Sequence, residues 1–332
     1  DRVMAGSGPA RGIMHGHGLL GAGDQTSSGG VRVLLERSAM VGFGTDYWGL
    51  SEGDLSFLLS GVLSNFGNFD AMGERLMQGT INSLVLMKAF APGGPCAELA
   101  ELQIDVDDVP QPVLDGDPRY YYGISQGGIM GGTLAALSDT IDAYVLQVGA
   151  VNYSTLVRRS LDFVQYDVLM GFSYRRKLDR DWLVVSSQPI WSLAEPDAYA
   201  SHILRDPLPG VDISNRRVLF QISRYDTEVS NAASDMAARD MQLGALDSSV
   251  YIPWNVDAIT EDSVASAMVI YRLDDVLPLP LGSVQLTSDN NAHSDLRFQT
   301  PVLEQIEQFA RPGGTVVDTC PANSCLLDNE RN

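Results

Sequence analysis

Short apolar runs alternate along this chain with segments whose apolar positions recur at helical spacing. The runs that predict buried strands lie at residues 11–14, 39–43, 143–148 and 218–222, with a further candidate strand at 248–253. Strands that alternate with helices favour a mostly parallel sheet with helices on both faces. The hydrophobic pattern therefore predicts an α/β fold.

Two helical patterns stand out between these runs. The spacing predicts a long helix over residues 68–90 and a last helix that begins near residue 300. The apolar stripe of the long helix consists of Met77, Ile81, Leu84 and Val85. That of the last helix consists of Val302, Leu303, Ile306 and Phe309. An apolar stripe of this kind is typical of an amphipathic helix.

Residues 151–215 interrupt the alternation. They separate two predicted core strands by far more than an ordinary connection. Their large apolar residues are Phe163, Tyr166, Met170, Phe172, Trp182 and Trp191. We interpret the segment as a helical lid inserted over the sheet, the alternative being a long connection packed into the core. The predicted organisation is a core of residues 1–150 and 216–316, a lid of 151–215 and a tail of 317–332.

The segment YYYGISQGGIMGG, residues 120–132, places Ser125 between glycines at the junction of a predicted strand and a predicted helix. Its central part, GISQG, matches the G-x-S-x-G motif in the context that this motif requires. In such a turn the residues two before and two after the serine nearly touch, so Gly123 and Gly127 must lack side chains. We predict that Ser125 is a nucleophile; the alternative is a helix cap.

A serine nucleophile needs a base that accepts its proton and an acid that holds the base. Of the four histidines, His15 and His17 precede the serine and His202 lies in the predicted lid. His293, in SDNNAHSDLRF, is the one that fits the chain order serine, acid, histidine. We therefore predict that His293 is the base.

The acid is expected in the loop after the strand that follows the lid. The segment SRYDTEVSN places Asp226 there, directly after the strand at 218–222. Asp235 and Asp240 compete, but both lie in a helix-like stretch, and Glu228 remains an alternative. We assign the acid to Asp226.

The oxyanion that forms after attack needs two preorganised N–H donors. One is the backbone N–H of Gln126, at the start of the helix. The other is expected from HGHGLLG, where we favour the backbone N–H of His17, with Gly18 second. His15 and His17 could instead bind a metal, but the sequence offers no third ligand in register and no nearby cysteine. We predict no metal site.

These features together resemble the α/β-hydrolase family: a strand followed by HGxG, a strand followed by G-x-S-x-G and a helix, an acid after a later strand and a late histidine. The similarity covers roughly residues 10–312. It implies a Ser–Asp–His esterase or lipase with the α/β-hydrolase fold and a lid after the strand that follows the nucleophile helix. By that similarity, Ser125 attacks an ester carbonyl, His293 transfers the proton, Asp226 orients His293, and His17 and Gln126 stabilise the oxyanion.

The segments RYDTEVSNAASDMAAR and HSDLRFQTPVLEQIEQF are similar to those of secreted bacterial hydrolases, among them carboxylesterases. One departure is that only about ten residues precede the strand of the oxyanion loop, where the family normally has about two strands. We expect the chain to be a fragment whose missing N-terminal part carried an export signal.

The nucleophile and its surroundings narrow the function. A serine at position 125, rather than an aspartate, argues against dehalogenase and epoxide hydrolase chemistry in this family. The aromatic lid residues Trp182 and Trp191, with Leu19 and Leu20 beside the oxyanion loop, predict an apolar acyl site. We predict a cofactor-independent serine carboxylesterase that acts on small-molecule, lipid or polymeric esters. The alternatives are a peptidase or amidase with the same triad and a non-catalytic binding domain of this fold.

Composition restricts the partners. The net charge is −20, with 42 acidic against 22 basic residues, which argues against nucleic acid and anionic membranes as main partners. No apolar run reaches transmembrane length. We read the acidic stretch at 105–117 as a solvated surface rather than a Ca²⁺ site.

Two cysteines near the C-terminus bear on the compartment. Cys320 and Cys325 are separated by four residues that include the turn formers Pro321 and Asn323. We predict a disulfide between them; half of a metal site is the alternative, but Cys96, the third cysteine, lies far away in the sequence. Because disulfides persist in oxidising compartments, we expect a secreted or periplasmic protein.

Overall fold

The computed structural model describes residues 8–117, 119–280, 282 and 286–331. Its strands are β1 (Gly12–Gly16), β2 (Val41–Gly44), β3 (Gln103–Val106), β4 (Val109–Pro112), β5 (Arg119–Ile124), β6 (Ile141–Gln147), β7 (Arg217–Ser223), β8 (Ala245–Leu246), β9 (Ala258–Ile259), β10 (Ser263–Val264), β11 (Ala267–Leu273), β12 (Val316–Val317) and β13 (Leu326–Leu327). Its helices are α1 (Gly29–Ser38), α2 (Phe69–Ala89), α3 (Gln126–Leu137), α4 (Tyr153–Val157), α5 (Phe163–Ser173), α6 (Lys177–Ser186), α7 (Gln188–Trp191), α8 (Ser201–Leu204), α9 (Asn231–Met241), α10 (Ala292–Asp295) and α11 (Thr300–Phe309).

The central sheet has nine strands in the described part of the chain, in the order β2-β1-β5-β6-β7-β11-β8-β9, with β13 pairing with β11. Every pairing within this sheet is parallel. Two small antiparallel pairs, β3–β4 and β10–β12, lie outside it. The predicted α/β class with a mostly parallel sheet is confirmed.

The three consecutive tyrosines of β5 show how the sheet divides its core. Side chains alternate between the two faces of a strand. Tyr120 and Tyr122 belong to the core that also contains the buried residues of α1 and α11. Tyr121 belongs to the larger core on the other face, together with the buried residues of α2, α3 and α9. Helices therefore cover both faces of the sheet.

The adjacent strands β1 and β5 lead to helices on opposite faces of the sheet: α1 follows β1 and packs on one face, whereas α3 follows β5 and packs on the other. The loops at their carboxyl ends diverge. In open parallel sheets such a point leaves a crevice where ligands bind. The topology thus places the HGHG loop and the Ser125 turn on either side of one crevice.

The apolar stripe predicted for α2 is half correct: Met77 and Leu84 are partly buried and pack against the core, whereas Ile81 and Val85 do not. Ile81 and Val85 are 52% and 63% exposed. The buried face consists instead of Phe69, Met72, Gly73, Leu76, Gly79, Thr80, Ser83 and Met87. The hydroxyls of Thr80 and Ser83 donate to backbone carbonyls one turn earlier, so small polar residues can be buried at this contact. Hydrophobicity alone therefore placed the buried face of α2 only approximately.

The candidate strand at 248–253 does not form, and the strand at this position in the sheet is β11, which the sequence analysis missed. The segment runs beside β11 and makes isolated bonds to it. The N–H of Val250 donates to the carbonyl of Ile270 (3.0 Å), and the N–H of Ile270 donates to Ser249 Oγ (3.1 Å). Because serine hydroxyls compete for the backbone groups, no regular ladder develops.

Residues 151–215 contain the five helices α4 to α8, between β6 and β7. The segment buries Met170, Val184, Trp191 and Ile203 in the same core as α2 and α3. Phe172 and Trp182, by contrast, are 78% and 64% exposed. The segment is therefore helical, as predicted, with an inner face packed on the core and apolar residues on its outer face.

The C-terminal tail is anchored in two ways. Cys320 and Cys325 form a disulfide, with Cα atoms 4.8 Å apart, which confirms the predicted pairing. Beyond it, β13 pairs with β11 and Leu327 is buried. The strand pairing satisfies backbone groups of the tail and buries a side chain, so the disulfide is not its only anchor.

The acidic stretch at 105–117 includes most of the β3–β4 hairpin. Asp107 and Asp108 occupy its turn, both with positive φ, and Asp115 pairs with the guanidinium of Arg119 (3.3 Å). Among the described residues, no helix is both long enough and apolar enough to cross a membrane.

Candidate active site

Ser125 lies on the sharp turn between β5 and α3. Its backbone has φ 59° and ψ −120°, a strained conformation for a residue with a side chain. Such strain is found mainly at functional sites, where the surrounding structure maintains it. The N–H of Ser125 donates to the carbonyl of Gln147 (3.0 Å), and its side chain makes no capping hydrogen bond to the helix. The hydroxyl is therefore not used as a helix cap.

Three glycines make this turn possible. A Cβ on Gly123 would overlap the carbonyl of Gly127, and a Cβ on Gly127 would overlap the carbonyl of Gly16. Gly16 ends β1, so the close approach extends from the turn to the strand that carries the HGHG loop. The glycines of G-x-S-x-G thus serve two contacts: one within the turn and one between the turn and β1.

His293 and Asp226 form a buried pair. Nδ1 of His293 donates to Oδ2 of Asp226 (2.7 Å), and both residues are at most 3% exposed. The other carboxylate oxygen of Asp226 accepts the backbone N–H groups of Glu228 and Val229, each at 2.8 Å. The acid is thus held in position from its own loop. Since Nδ1 carries the proton, Nε2 of His293 is left as the acceptor nitrogen, and it makes no hydrogen bond within the described residues.

Carboxylates surround the imidazole of His293. Burial lowers its pKa, but the charge and hydrogen bond of Asp226, together with the charge of Glu228, outweigh burial and raise the pKa above 6.5. Oε2 of Glu228 lies 3.4 Å from Nε2. Burial raises the pKa of Glu228 to about 6 and also raises the pKa of Asp162, which faces the same cavity. The site therefore favours the imidazolium that forms when His293 accepts a proton.

The side chain of His17 braces its own loop. It is fully buried; its Nδ1 donates to the carbonyl of Gly18 (2.7 Å), and its Nε2 accepts the N–H of Tyr47 (2.8 Å). The N–H of Gly18 donates to the side-chain oxygen of Gln25 (3.1 Å). Because the Gly18 N–H is engaged in this way, the backbone N–H of His17 is the better donor candidate from this loop, opposite that of Gln126 at the start of α3.

Both histidines of the loop are engaged by hydrogen bonds within the fold. Both nitrogens of His17 are hydrogen-bonded, and Nδ1 of His15 donates to the carbonyl of Tyr122 (2.9 Å). Burial lowers the pKa of His15 to about 4 and lowers that of His17, so both rings are neutral near pH 7. The one group of potential ligands among the described residues is Asp318, Cys320 and Cys325, and its two sulfurs are joined in the disulfide.

A buried pair of tyrosines ties the parts of the site together. The hydroxyl of Tyr47 contacts that of Tyr121 (2.7 Å), which donates to the carbonyl of Gly127 (2.6 Å). Tyr47 also donates its N–H to His17. One chain of hydrogen bonds therefore connects the HGHG loop with the turn at Ser125. Sequence reasoning did not identify either tyrosine; the available signal was the alternation in YYY, which sets Tyr121 apart from its neighbours.

Two cavities meet at Ser125. The first is apolar, with a cavity volume of about 110 Å³, and Leu19, Tyr153 and Trp191 contribute to its wall. The second is polar and is lined by residues that include His15, Gln25, His293 and Arg297. The residues shared by both cavities are Leu19, Ser125, Asp162, Tyr166 and Glu228. Ser125 is thus accessible from an apolar and a polar side.

Of the four residues predicted to bind substrate, three line the cavities at Ser125 and one does not. Leu19 lines both cavities, Leu20 lines the polar one and Trp191 the apolar one. The prediction for Trp182 is corrected, because this side chain points into solvent and lines neither cavity. On α6, Val184 faces the cavity, and Trp182, two residues earlier, is rotated by about 200° from it.

No protein-family model matches the sequence, and no curated protein matches it. Acetyl xylan esterase 1 from Thermoanaerobacterium sp. JW/SL YS485 is 13% identical, with a TM-score of 0.46 over 82% of this chain and 71% of that chain. 2,6-Dihydroxy-pseudo-oxynicotine hydrolase is 12% identical, with a TM-score of 0.46 over 94% of this chain and 64% of that chain. Pyrococcus horikoshii acylaminoacyl peptidase is 13% identical, with a TM-score of 0.43 over 79% of this chain and 32% of that chain. This chain therefore spans about a third of that peptidase.

The fold follows from the chain's own topology. The serine turn comes after β5, the HGHG loop after the adjacent strand β1, Asp226 after β7 and His293 after β11. A serine on a strand-to-helix turn of a parallel sheet, a glycine-rich loop after the adjacent strand and the chain order serine, aspartate, histidine are features of one architecture. The chain has the α/β-hydrolase fold.

Proposed function

We propose that the protein is a serine carboxylesterase that works through an acyl-enzyme intermediate. The observation that carries this proposal is that Ser125, on its strained turn, and His293, held by Asp226, line the same cavity. A serine hydroxyl outside such an arrangement is a poor nucleophile, and the adjacent base supplies its activation.

In the proposed reaction, Oγ of Ser125 attacks the ester carbonyl while Nε2 of His293 accepts its proton. Asp226 stabilises the imidazolium that forms. The N–H groups of His17 and Gln126 donate to the oxyanion of the tetrahedral intermediate. His293 then transfers the proton to the leaving alcohol. Water enters, His293 accepts a proton from it, and the same steps release the carboxylic acid and restore Ser125.

The two cavities suggest where the parts of the ester lie. We assign the apolar cavity to the acyl group and the polar cavity to the alcohol and the attacking water. Helices of residues 151–215 form much of the apolar wall, so we assign this segment as the lid of an acyl site that accepts lipid or polymeric esters as well as small ones. Export is part of the proposal, supported by the disulfide between Cys320 and Cys325.

A labelling experiment and a substrate panel test the function. A fluorophosphonate is expected to label the protein at Ser125, and 4-nitrophenyl butyrate to be hydrolysed with a higher kcat/KM than the matching 4-nitroanilide. Release of the anilide at the higher kcat/KM would indicate a peptidase or amidase instead. Absence of both labelling and turnover would contradict any enzymatic role for this site.

The pH dependence tests the base. Because His293 must be neutral to accept the proton and its pKa is raised, kcat/KM is expected to rise with pH through an apparent pKa above 6.5. The pKa values of His15 and His17 are lowered, so neither histidine accounts for a rise of kcat/KM at this pH. Glu228→Gln removes a negative charge beside Nε2 and is expected to move the midpoint to lower pH. The measurement is kcat/KM for 4-nitrophenyl butyrate from pH 5 to 9.

Asp235→Asn is the control for this shift. Asp235, on α9, is also a partly buried carboxyl, but it accepts a hydrogen bond from Tyr251 (2.7 Å), and the charges that raise the pKa of His293 are those of Asp226 and Glu228. This variant is expected to keep the wild-type midpoint. An unchanged midpoint in Glu228→Gln, or a shift to higher pH, would show that Glu228 does not stabilise the imidazolium.

Trp191 tests the acyl site. Its ring stacks on Tyr153 and lines the apolar cavity, so Trp191→Leu enlarges the space for the acyl chain. We expect kcat/KM for 4-nitrophenyl octanoate to rise relative to the acetate by about tenfold. Trp182→Leu changes an exposed tryptophan in the same segment and is expected to leave the ratio unchanged. Equal effects of Trp191→Leu on both esters would mean that Trp191 serves only the core.

A further inference from the structure

Gln126 is one of the residues that line the apolar cavity. The residue directly follows Ser125 and is 2% exposed, and its side-chain nitrogen Nε2 makes no hydrogen bond with any described residue. A buried donor without a partner carries a substantial desolvation cost, and such groups in native proteins call for an explanation. An unused donor beside the nucleophile is a candidate contact for substrate.

The side-chain amide of Gln126 is oriented so that its oxygen is hydrogen-bonded and its nitrogen, Nε2, is not. The hydroxyl of Tyr153 donates to Oε1 of Gln126. Tyr153 is itself buried, and its ring stacks on Trp191 with centroids 4.2 Å apart and an interplanar angle of 21°. Because Oε1 is occupied by a fixed partner, only the two N–H groups of Nε2 remain available.

The surroundings select the kind of acceptor. Most of the cavity wall is apolar, and its acidic residues are Asp162 and Glu228. These carboxyls disfavour a negatively charged acyl group. A neutral ether or carbonyl oxygen can accept from Nε2 and brings no donor of its own that would be left unpaired. Because Gln126 is the neighbour of Ser125, this oxygen lies within the first few atoms of the acyl chain.

We propose that the enzyme prefers acyl groups carrying a neutral ether or carbonyl oxygen close to the scissile carbonyl, and that this oxygen accepts a hydrogen bond from Nε2 of Gln126. The proposal rests on the proposed esterase function, since it concerns the acyl site of the same serine. A site built to hydrogen-bond its substrate discriminates against an analogue that lacks the bonding group, because the buried donor is then left unpaired.

Two matched pairs of 4-nitrophenyl esters test it: 3-methoxypropanoate against pentanoate, and 4-oxopentanoate against 4-methylpentanoate. Each kcat/KM is divided by the rate constant for hydroxide-catalysed hydrolysis of the same ester, which removes differences in intrinsic reactivity. The wild-type protein is expected to prefer the oxygen-bearing member of at least one pair by about tenfold. Gln126→Met keeps the backbone N–H and a similar length but has no donor, and is expected to bring that ratio close to one.

Two further variants support the comparison. Met170→Leu changes an apolar residue of the same cavity and is expected to keep the wild-type ratio. Tyr153→Phe releases the amide of Gln126 and is expected to reduce the preference, so it decides the question if Gln126→Met does not fold. Ratios near one for both pairs in the wild-type protein, or an undiminished preference in Gln126→Met, would overturn the inference alone. No hydrolysis of any of the four esters would overturn the proposed function, and the inference with it.

Discussion

Replacing Ser125 with alanine is expected to lower kcat/KM for 4-nitrophenyl butyrate by about 10⁴- to 10⁶-fold. In the proposed mechanism this variant loses the nucleophile, and only the oxyanion donors and the binding cavities contribute to the remaining rate. Stability is expected to change little, because the Ser125 side chain makes no capping hydrogen bond to α3. Steady-state kinetics and thermal denaturation of the same preparation measure the two effects.

A matched variant and a second member of the triad make this result specific. Ser60→Ala removes the hydroxyl of an exposed serine and is expected to leave both activity and stability unchanged. His293→Gln removes the base and is expected to lower kcat/KM to a similar extent as Ser125→Ala. Because residues of a triad act as a unit, the double variant is expected to be little worse than either single one. Substantial activity in Ser125→Ala would show that another group is the nucleophile.

Gly127→Ala is expected to lower kcat/KM by about 100-fold or more and to destabilise the protein by about 1–3 kcal/mol. The added methyl group would overlap the carbonyl of Gly16, a backbone atom that cannot move aside as a flexible side chain can. Relief requires β1 and the serine turn to separate. That movement displaces the oxyanion donors of His17 and Gln126 relative to the hydroxyl of Ser125.

Gly116→Ala is the control for this substitution. Gly116 lies in an exposed position where an added Cβ meets no atom within 4 Å. The control is expected to match the wild-type protein in kcat/KM and melting temperature. Wild-type kcat/KM and melting temperature in Gly127→Ala would show that the serine turn does not pack closely against β1.

Local patterns in the sequence were sufficient for the fold class and for the conformation of the turn at Ser125. Alternating strands and helices predict a parallel sheet because both of its faces must be covered by helices. Gly123 and Gly127 flank Ser125 because a strand-to-helix turn this tight excludes side chains at both positions. Asp226 and His293 were selected by chain order, which the order of the strands imposes. The spacing of Cys320 and Cys325 was likewise enough to predict their disulfide.

The sequence was less informative wherever burial depended on a partner from elsewhere in the chain. Ile81 and Val85 of α2 look like core residues, yet the helix buries Thr80 and Ser83, whose hydroxyls bond within the helix. Trp182 is the more exposed of two similar tryptophans because of the side of its helix on which it falls. Hydrophobicity is a property of each residue, whereas burial is decided by what packs against it.

Only the tertiary structure decided how the parts of the site contact one another. The hydrogen bonds from Tyr47 to Tyr121 and on to Gly127 join residues that are far apart in the sequence, as does the contact between Tyr153 and Gln126. The 3.4 Å approach of Glu228 to Nε2 of His293 arises from a loop after β7 and a short helix after β11. A sequence specifies which groups can bond and which segments fold locally. Which of those groups meet is set by the crossing of distant strands and helices. That crossing also sets the pKa of His293 and leaves Nε2 of Gln126 without a partner beside Ser125.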